Sequence, residues 1–143
     1  MERFENKVAV VTGASAGIGA ACVLDLVKSG MFVVALARRE GPLNDLKLGL
    51  PEHLQFKMFP KKCDVTVEKE VSSVFKWTIN HLGPVHVLVC SAGVLKLTQL
   101  SGTIDTYKIR DTVETNIMGV TYCVREAYQQ MKAHNIDGHR SSL

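Results

Sequence analysis

Apolar residues in this chain follow two alternating rhythms: short unbroken runs, and stretches in which they return every three or four positions. Residues 8–11 (Val-Ala-Val-Val) and 31–37 (Met-Phe-Val-Val-Ala-Leu-Ala) contain no polar residue, as expected for parallel strands covered on both faces. Residues 85–90 form a similar run, broken only by His86. Residues 54–59 are weaker strand material, and Pro60 after them predicts an irregularity or a sheet edge. Helical patterns lie between the runs. Residues 20–29 carry Val23, Leu24 and Val27 and stop at Gly30, and residues 43–48 form a short helix after Gly41-Pro42. Thr66 reads as a helix N-cap, with Glu68 and Glu70 near the positive end. The apolar face of that helix is Val67, Val71, Val74, Phe75, Thr78 and Leu82, and Gly83-Pro84 ends it. A long helix follows from about residue 104 to about residue 133, stepping through Ile109, Val113, Ile117, Val120, Val124, Ala127 and Met131.

Strands alternating with helices predict an α/β fold, a Rossmann-type doubly wound parallel sheet with strand order 3-2-1-4. The 143 residues suffice for one domain with a core and not for two. The residues from 135 onward form no element, where a fifth strand would be expected.

Candidate chemistry gathers at the end of the first run. Thr12-Gly13-Ala14-Ser15-Ala16-Gly17-Ile18-Gly19 places three glycines between a strand and a helix. Gly13 permits a tight turn, and Gly17 and Gly19 remove Cβ atoms that would block a close approach. A diphosphate could then rest on the first N–H groups of the helix. The alternative is a tight turn that needs glycine for sterics alone. Arg38 and Arg39 close the second strand, 19 positions after Gly19. An acidic residue there would bond the ribose hydroxyls of NAD, whereas arginine suits the 2′-phosphate of NADP. A solvated charge pair is the bland alternative, and Glu40 could pair with either arginine. Asp64-Val65 ends the third strand, where adenine would lie, although a carboxylate near a helix N-terminus needs no ligand. Asn116 is a mediocre helix former in mid-helix, which hints at a role, yet surface asparagines are common. Tyr128 and Lys132 have the spacing at which a cation depresses a phenol pKa. The helical rise puts Tyr128 about 18 Å beyond Asn116, so a surface helix is the better reading.

Charge and composition remove several classes. A net charge of +3 with scattered basic residues, and no Lys/Arg stripe with interleaved aromatics, argues against nucleic acid as a partner. The charged N-terminal residues do not resemble a signal peptide, and no run reaches the roughly 18 apolar residues of a membrane span. Four widely spaced cysteines without a Cys-x-x-Cys pair suggest reduced, mostly buried thiols in a cytoplasmic protein. The five histidines have no metal-ligand spacing, so no metal is expected.

Together the glycine motif, Arg38-Arg39, Asp64-Val65, Ala92-Gly93 and Asn116 resemble the short-chain dehydrogenase/reductase family. The likeness covers nearly all of residues 1–139. Met1-Glu2-Arg3, Ala37-Arg38-Arg39, Lys62-Cys63-Asp64-Val65 and Arg125-Glu126-Ala127 carry a narrower likeness to its farnesol dehydrogenase-like members in insects. The resemblance implies an NADP-binding domain over residues 1–139 that moves a hydride between NADP(H) and a small alcohol or carbonyl substrate, such as an isoprenoid alcohol. It implies that Gly13, Ser15, Gly17, Ile18 and Gly19 line the phosphate site and that Asp64 and Val65 approach adenine. Ala92 and Gly93 would touch the cofactor, and Asn116 would help hold a proton-relay water. A homo-oligomer is compatible with the resemblance. Two departures are expected. The family's Asn-Asn-Ala-Gly is Cys90-Ser91-Ala92-Gly93 here, which removes two amide side chains. The sequence also reads as the N-terminal part of such an enzyme with an aberrant tail at 140–143, ending before the catalytic Ser and the Tyr-x-x-x-Lys pair.

Overall fold

The apolar runs pair edge to edge into one parallel sheet. The computed structural model describes residues 2–94 and 105–136. Within it β1 (Val8–Thr12), β2 (Phe32–Ala37), β3 (Met58–Lys62) and β4 (Val85–Cys90) lie in the order β3-β2-β1-β4. Val10 stands opposite Val34 on one side and Leu88 on the other. The helices are α1 (Gly17–Lys28), α2 (Glu40–Leu48), α3 (Glu68–His81), α4 (Thr106–Val113) and α5 (Gly119–Ala133).

Successive strand residues serve opposite layers. Val8, Val10, Val34, Leu36 and Leu88 meet Val71, Phe75, Cys123, Ala127 and Met131 of α3 and α5. Ala9, Val11, Val33 and Ala35 meet Val23 and Val27 of α1 and Leu43 of α2. Burying each such valine or leucine contributes about 1.5–3 kcal/mol, which is why β1 and β2 need apolar residues at every position. The doubly wound architecture and its strand order are those the sequence predicts.

Four local expectations are corrected. The third strand is Met58–Lys62, not residues 54–59; residues Glu52–Lys57 form a 3₁₀ turn instead. Pro60 lies within β3 opposite Ala35, tolerated because β3 is an edge among the described strands. The helix after Gly41-Pro42 starts earlier, at Glu40, because its first turn needs no proline N–H. Thr66 is not the cap of α3, whose N-cap is Val67; its N–H and hydroxyl both donate to Asp64 Oδ1, at 3.0 and 2.7 Å.

The fourth correction concerns the long helix. Residues Glu114–Met118 form a π-helical turn between α4 and α5. The buried positions are Thr115, Gly119, Cys123, Ala127 and Met131, while Val113 and Ile117 are exposed. Close approach decides this. A Cβ on Gly119 would lie 2.8 Å from Val65 Cγ2, so small residues face the sheet and larger ones turn outward. Residue 104, the expected helix start, and the segment 137–143 with its expected strand and tail lie outside the described residues. No helix among the described residues is long and apolar enough to cross a membrane.

Candidate functional site

At the C-terminal end of β1 the chain turns at Gly13, with φ +61°, directly beside the loop after β4. A Cβ there would come within 2.6 Å of Ala92 N. Gly19, in the first turn of α1, packs against the Gly13 carbonyl, where a Cβ would overlap it. Gly17 differs. Its φ is +57°, yet nothing lies within 4 Å of the place a Cβ would take. The helix therefore begins under open space. Its N-cap, Ala16, has no side chain able to cap, and its first turn has no acidic residue. Uncapped N–H groups at the positive end of a helix, facing open space, suit an anion.

The ends of β2 and β3 supply charge. Arg38 and Arg39 are both exposed. Arg38 donates from Nη2 to Thr115 Oγ1 at 3.1 Å and forms ion pairs with Asp64 (3.4 Å) and Asp111 (3.6 Å). Among the described residues, Glu40 pairs with neither arginine. Asp64 is fixed locally by Thr66, while its own N–H donates to Glu70 Oε1 at 3.2 Å.

The loop at 91–94 is held from two sides. Buried Thr12 Oγ1 accepts from the N–H groups of Ser91 and Ala92, both at 3.1 Å. Asn116, on the π-helical turn, accepts from Val94 N–H at 2.8 Å and donates to the Val94 carbonyl at 2.9 Å. A π turn displaces one residue from helical register, and here that residue clamps a loop. Thr12 and Asn116 thus order this loop without the two amides at positions 90 and 91.

One open cleft joins the glycine turn, the strand ends and the loop, while Gly17, Ile18 and Gly19 are not among the residues that line it. Gly13, Ser15, Arg38, Arg39, Val65, Ala92 and Gly93 line it, with Leu36 and Cys63 at its base. Ile18 stands 77% exposed beside the uncapped turn, and Asp64 borders the cleft through its pair with Arg38. Burial pushes the Cys63 thiol up to about 12 and the Cys90 thiol to about 11, so neither is a nucleophile near neutral pH. All four cysteines are free. Among the described residues no group of three or more His, Cys, Asp or Glu could hold a metal ion. Tyr128 is exposed on α5, and nearby Gln130 bonds Val85 N at 3.1 Å, at the strand ends opposite the cleft. Sequence reasoning missed Thr12 as a loop anchor, although it is the only hydroxyl in an apolar strand. It also missed Thr115 and Asp111 as partners of Arg38, for which no local pattern exists.

The short chain dehydrogenase family matches residues 7–139. A farnesol dehydrogenase of Aedes aegypti is 48% identical over 139 residues, covering 97% of this chain and 57% of its own length. Dehydrogenase/reductase SDR family member 11 of Mus musculus is 38% identical, covering 97% of this chain and 54% of its own. An actinorhodin polyketide ketoreductase solved with NADPH superposes with a TM-score of 0.79 at 28% identity, over 90% of this chain and 49% of that one. The chain spans about half the length of the curated relatives it matches. The cleft occupies the C-terminal ends of a doubly wound sheet, and the match runs through every element that shapes it: this chain belongs to the short-chain dehydrogenase/reductase family.

Proposed function

We propose that the cleft binds NADP(H) and that the protein is an NADP-dependent oxidoreductase acting between an alcohol and the corresponding carbonyl. The observation that carries the reading is a cleft that joins the turn at Gly13 and Ser15 to Arg38 and Arg39, with the uncapped start of α1 directly after that turn. The cleft's main chain fits a dinucleotide: Gly17 leaves the space a Cβ would fill, and Ser15 lines the turn. Bound there, a nicotinamide nucleotide supplies or accepts the hydride. The chain's own residues bind and orient. The first-turn N–H groups of α1, flanked by Ile18 and Gly19, would hold the diphosphate, and Arg38 and Arg39 would hold the 2′-phosphate. Asp64 and Val65 border adenine. Ala92 and Gly93, on the loop fixed by Thr12 and Asn116, would touch the cofactor, and Asn116 would help hold a proton-relay water.

The likeness to the farnesol dehydrogenase of Aedes aegypti favours an isoprenoid alcohol such as farnesol as substrate. The free, buried thiols favour a cytoplasmic setting. Exposed Val113 and Ile117 on the long helix favour a homo-oligomer that covers them, checked by light scattering. Replacing Arg38 and Arg39 together by Asp tests the cofactor reading: NADPH affinity should fall far more than NADH affinity, and equal losses would reject it. A second reading is a nucleotide-binding homologue without turnover, built on the same cleft. Thermal stabilisation by NADP+ without alcohol oxidation would select it.

A further inference from the structure

A second groove lies where β3 ends beside α3, and it shares no lining residue with the cleft. Lys62, the N-cap Val67, and Lys69, Glu70, Ser73 and Val74 of α3 line it. Val67 and Val74 are its apolar lining, and Val67 stands 39% exposed. Lys62 and Lys69 form no ion pair among the described residues. The carboxylate in the groove, Glu70, is already engaged, since its Oε1 accepts from Asp64 N–H at 3.2 Å. Along α3 the same helical stripe runs on from Ser73 to Trp77 and His81. Lys61 Nζ lies 3.7 Å from the centroid of the Trp77 ring, His81 stacks on that ring at 4.7 Å, and Phe59 meets it at 6.0 Å. Lys61 also has no ion pair among the described residues. β3 is an edge among the described strands, and Pro60 has no N–H to offer across it, so a partner meets side chains here and not a strand template.

We propose that this groove is a docking site for an acidic segment of a partner protein, with an apolar side chain seated on Val67 and Val74 and flanking carboxylates on Lys62, Lys69 and Lys61. Lysines without acidic partners are ordinary at a surface. These three differ in surrounding an exposed apolar patch within a concavity, a combination that neither a purely polar nor a purely apolar partner satisfies. A nucleic acid fits less well. The Trp77 ring is already occupied by Lys61 and His81 and offers no base a stacking face, and two valines give a phosphodiester nothing to bond. A membrane surface needs apolar side chains that protrude, and here they line a recess.

Binding of a fluorescein-labelled peptide, Glu-Glu-Leu-Glu-Glu, to the full chain is followed by anisotropy at fixed salt. Saturable binding below about 1 mM is expected. Lys62→Gln combined with Lys69→Gln should weaken it about tenfold, because both changes are at the surface and leave the core intact. A peptide with serine in place of the leucine should bind about fivefold more weakly. Arg39→Ala, in the separate cleft, should leave the affinity unchanged. Absence of saturation overturns the proposal, and so does an affinity indifferent to the double lysine change or to loss of the leucine. A loss from Arg39→Ala as large as that from the lysines would place the peptide in the cleft and overturn it too. The same holds if a uridine oligonucleotide of equal charge, or phosphatidylserine vesicles, bind the lysine groove more tightly than the peptide.

Discussion

The turn from Gly13 to Gly19, which meets the cleft at Gly13 and Ser15, is built from main chain, whereas the opposite side of the cleft is held by side chains from distant parts of the sequence. Arg38 and Thr115 are 77 positions apart, and Asn116 and Val94 are 22 apart. The first wall is defined by atoms that are missing: a Cβ at Gly13 would collide with the Ser91-Ala92 backbone, one at Gly19 with the Gly13 carbonyl, and Gly17 faces open space. The second wall is tertiary and is defined by groups that are present, a hydroxyl, an amide and a pair of carboxylates. An added methyl should therefore break the first, and a deleted polar group should break the second.

The largest effect is expected at Gly19. A valine there drives its Cβ into the Gly13 carbonyl and to 3.2 Å from Ala14 Cα, both backbone and both unable to yield. Destabilisation of about 4 kcal/mol or more is expected in urea titration, enough to unfold a marginal domain. A melt like that of the unmodified protein would show that the turn has slack, and the contrast between the walls would fail.

Thr12 belongs to both walls, since it ends β1 and anchors the loop after β4. Thr12→Val keeps its shape and leaves the Ser91 and Ala92 N–H groups without their acceptor. A loss of about 2–3 kcal/mol is expected, because both donors keep their desolvation penalty. Thr12→Ser should recover most of it. Faster hydrogen exchange at residues 91 and 92 in the valine variant, and not in the serine variant, checks the cause.

Asn116→Ala removes two bonds to Val94 at a site with access to water, so about 1–2 kcal/mol is expected. Here the readout that sharpens the comparison is the loop. Exchange at Val94 should rise while exchange at Ala14, whose N–H is bonded to Leu36, stays unchanged. If both rise together, the two walls are one cooperative unit.

The same contrast explains what the sequence revealed. β1, β2 and β4 were legible because burial on both faces forces a continuous apolar run, and the glycine turn was legible because its three glycines stand within seven residues, although the contact that constrains Gly13 comes from Ala92. β3 was displaced because an edge strand accepts Lys61 and Lys62, so hydrophobicity did not mark where pairing with β2 begins. The apolar stripe of the long helix was rotated because close packing of Gly119 on Val65 and the π turn, rather than hydrophobicity, choose its inner face. Thr115, Asp111 and Arg38 converge only through the fold. Asn116 was noticed as an oddity, a poor helix former in mid-helix, and its clamp on Val94 gives that oddity a physical cause.

The smallest expected effect probes how tightly the tertiary wall is packed. Cys63 and Cys90 end near the cleft and Cys123 lies on α5, and burial raises all three thiols above their usual value of 9.0. The unfolded chain then loses thiol protons at lower pH than the folded one. Where the unfolded state binds fewer protons, stability falls as pH rises, so the native state should be indifferent to these groups at pH 7 and begin to weaken near pH 9. The loss at pH 9 is about 0.4 kcal/mol for each thiol, and for Cys63 and Cys123 it steepens toward about 1.4 kcal/mol per pH unit as pH climbs to 11, while the Cys90 slope levels off as pH reaches its own raised pKa. Replacing the three cysteines by alanine should flatten this part of the stability profile, whatever it does to stability at pH 7. An alkaline slope that survives the replacement would assign it to other groups. Rapid alkylation of Cys63 in the folded protein at pH 8 would go further and show that this wall opens, making the side-chain wall dynamic where the glycine wall is rigid.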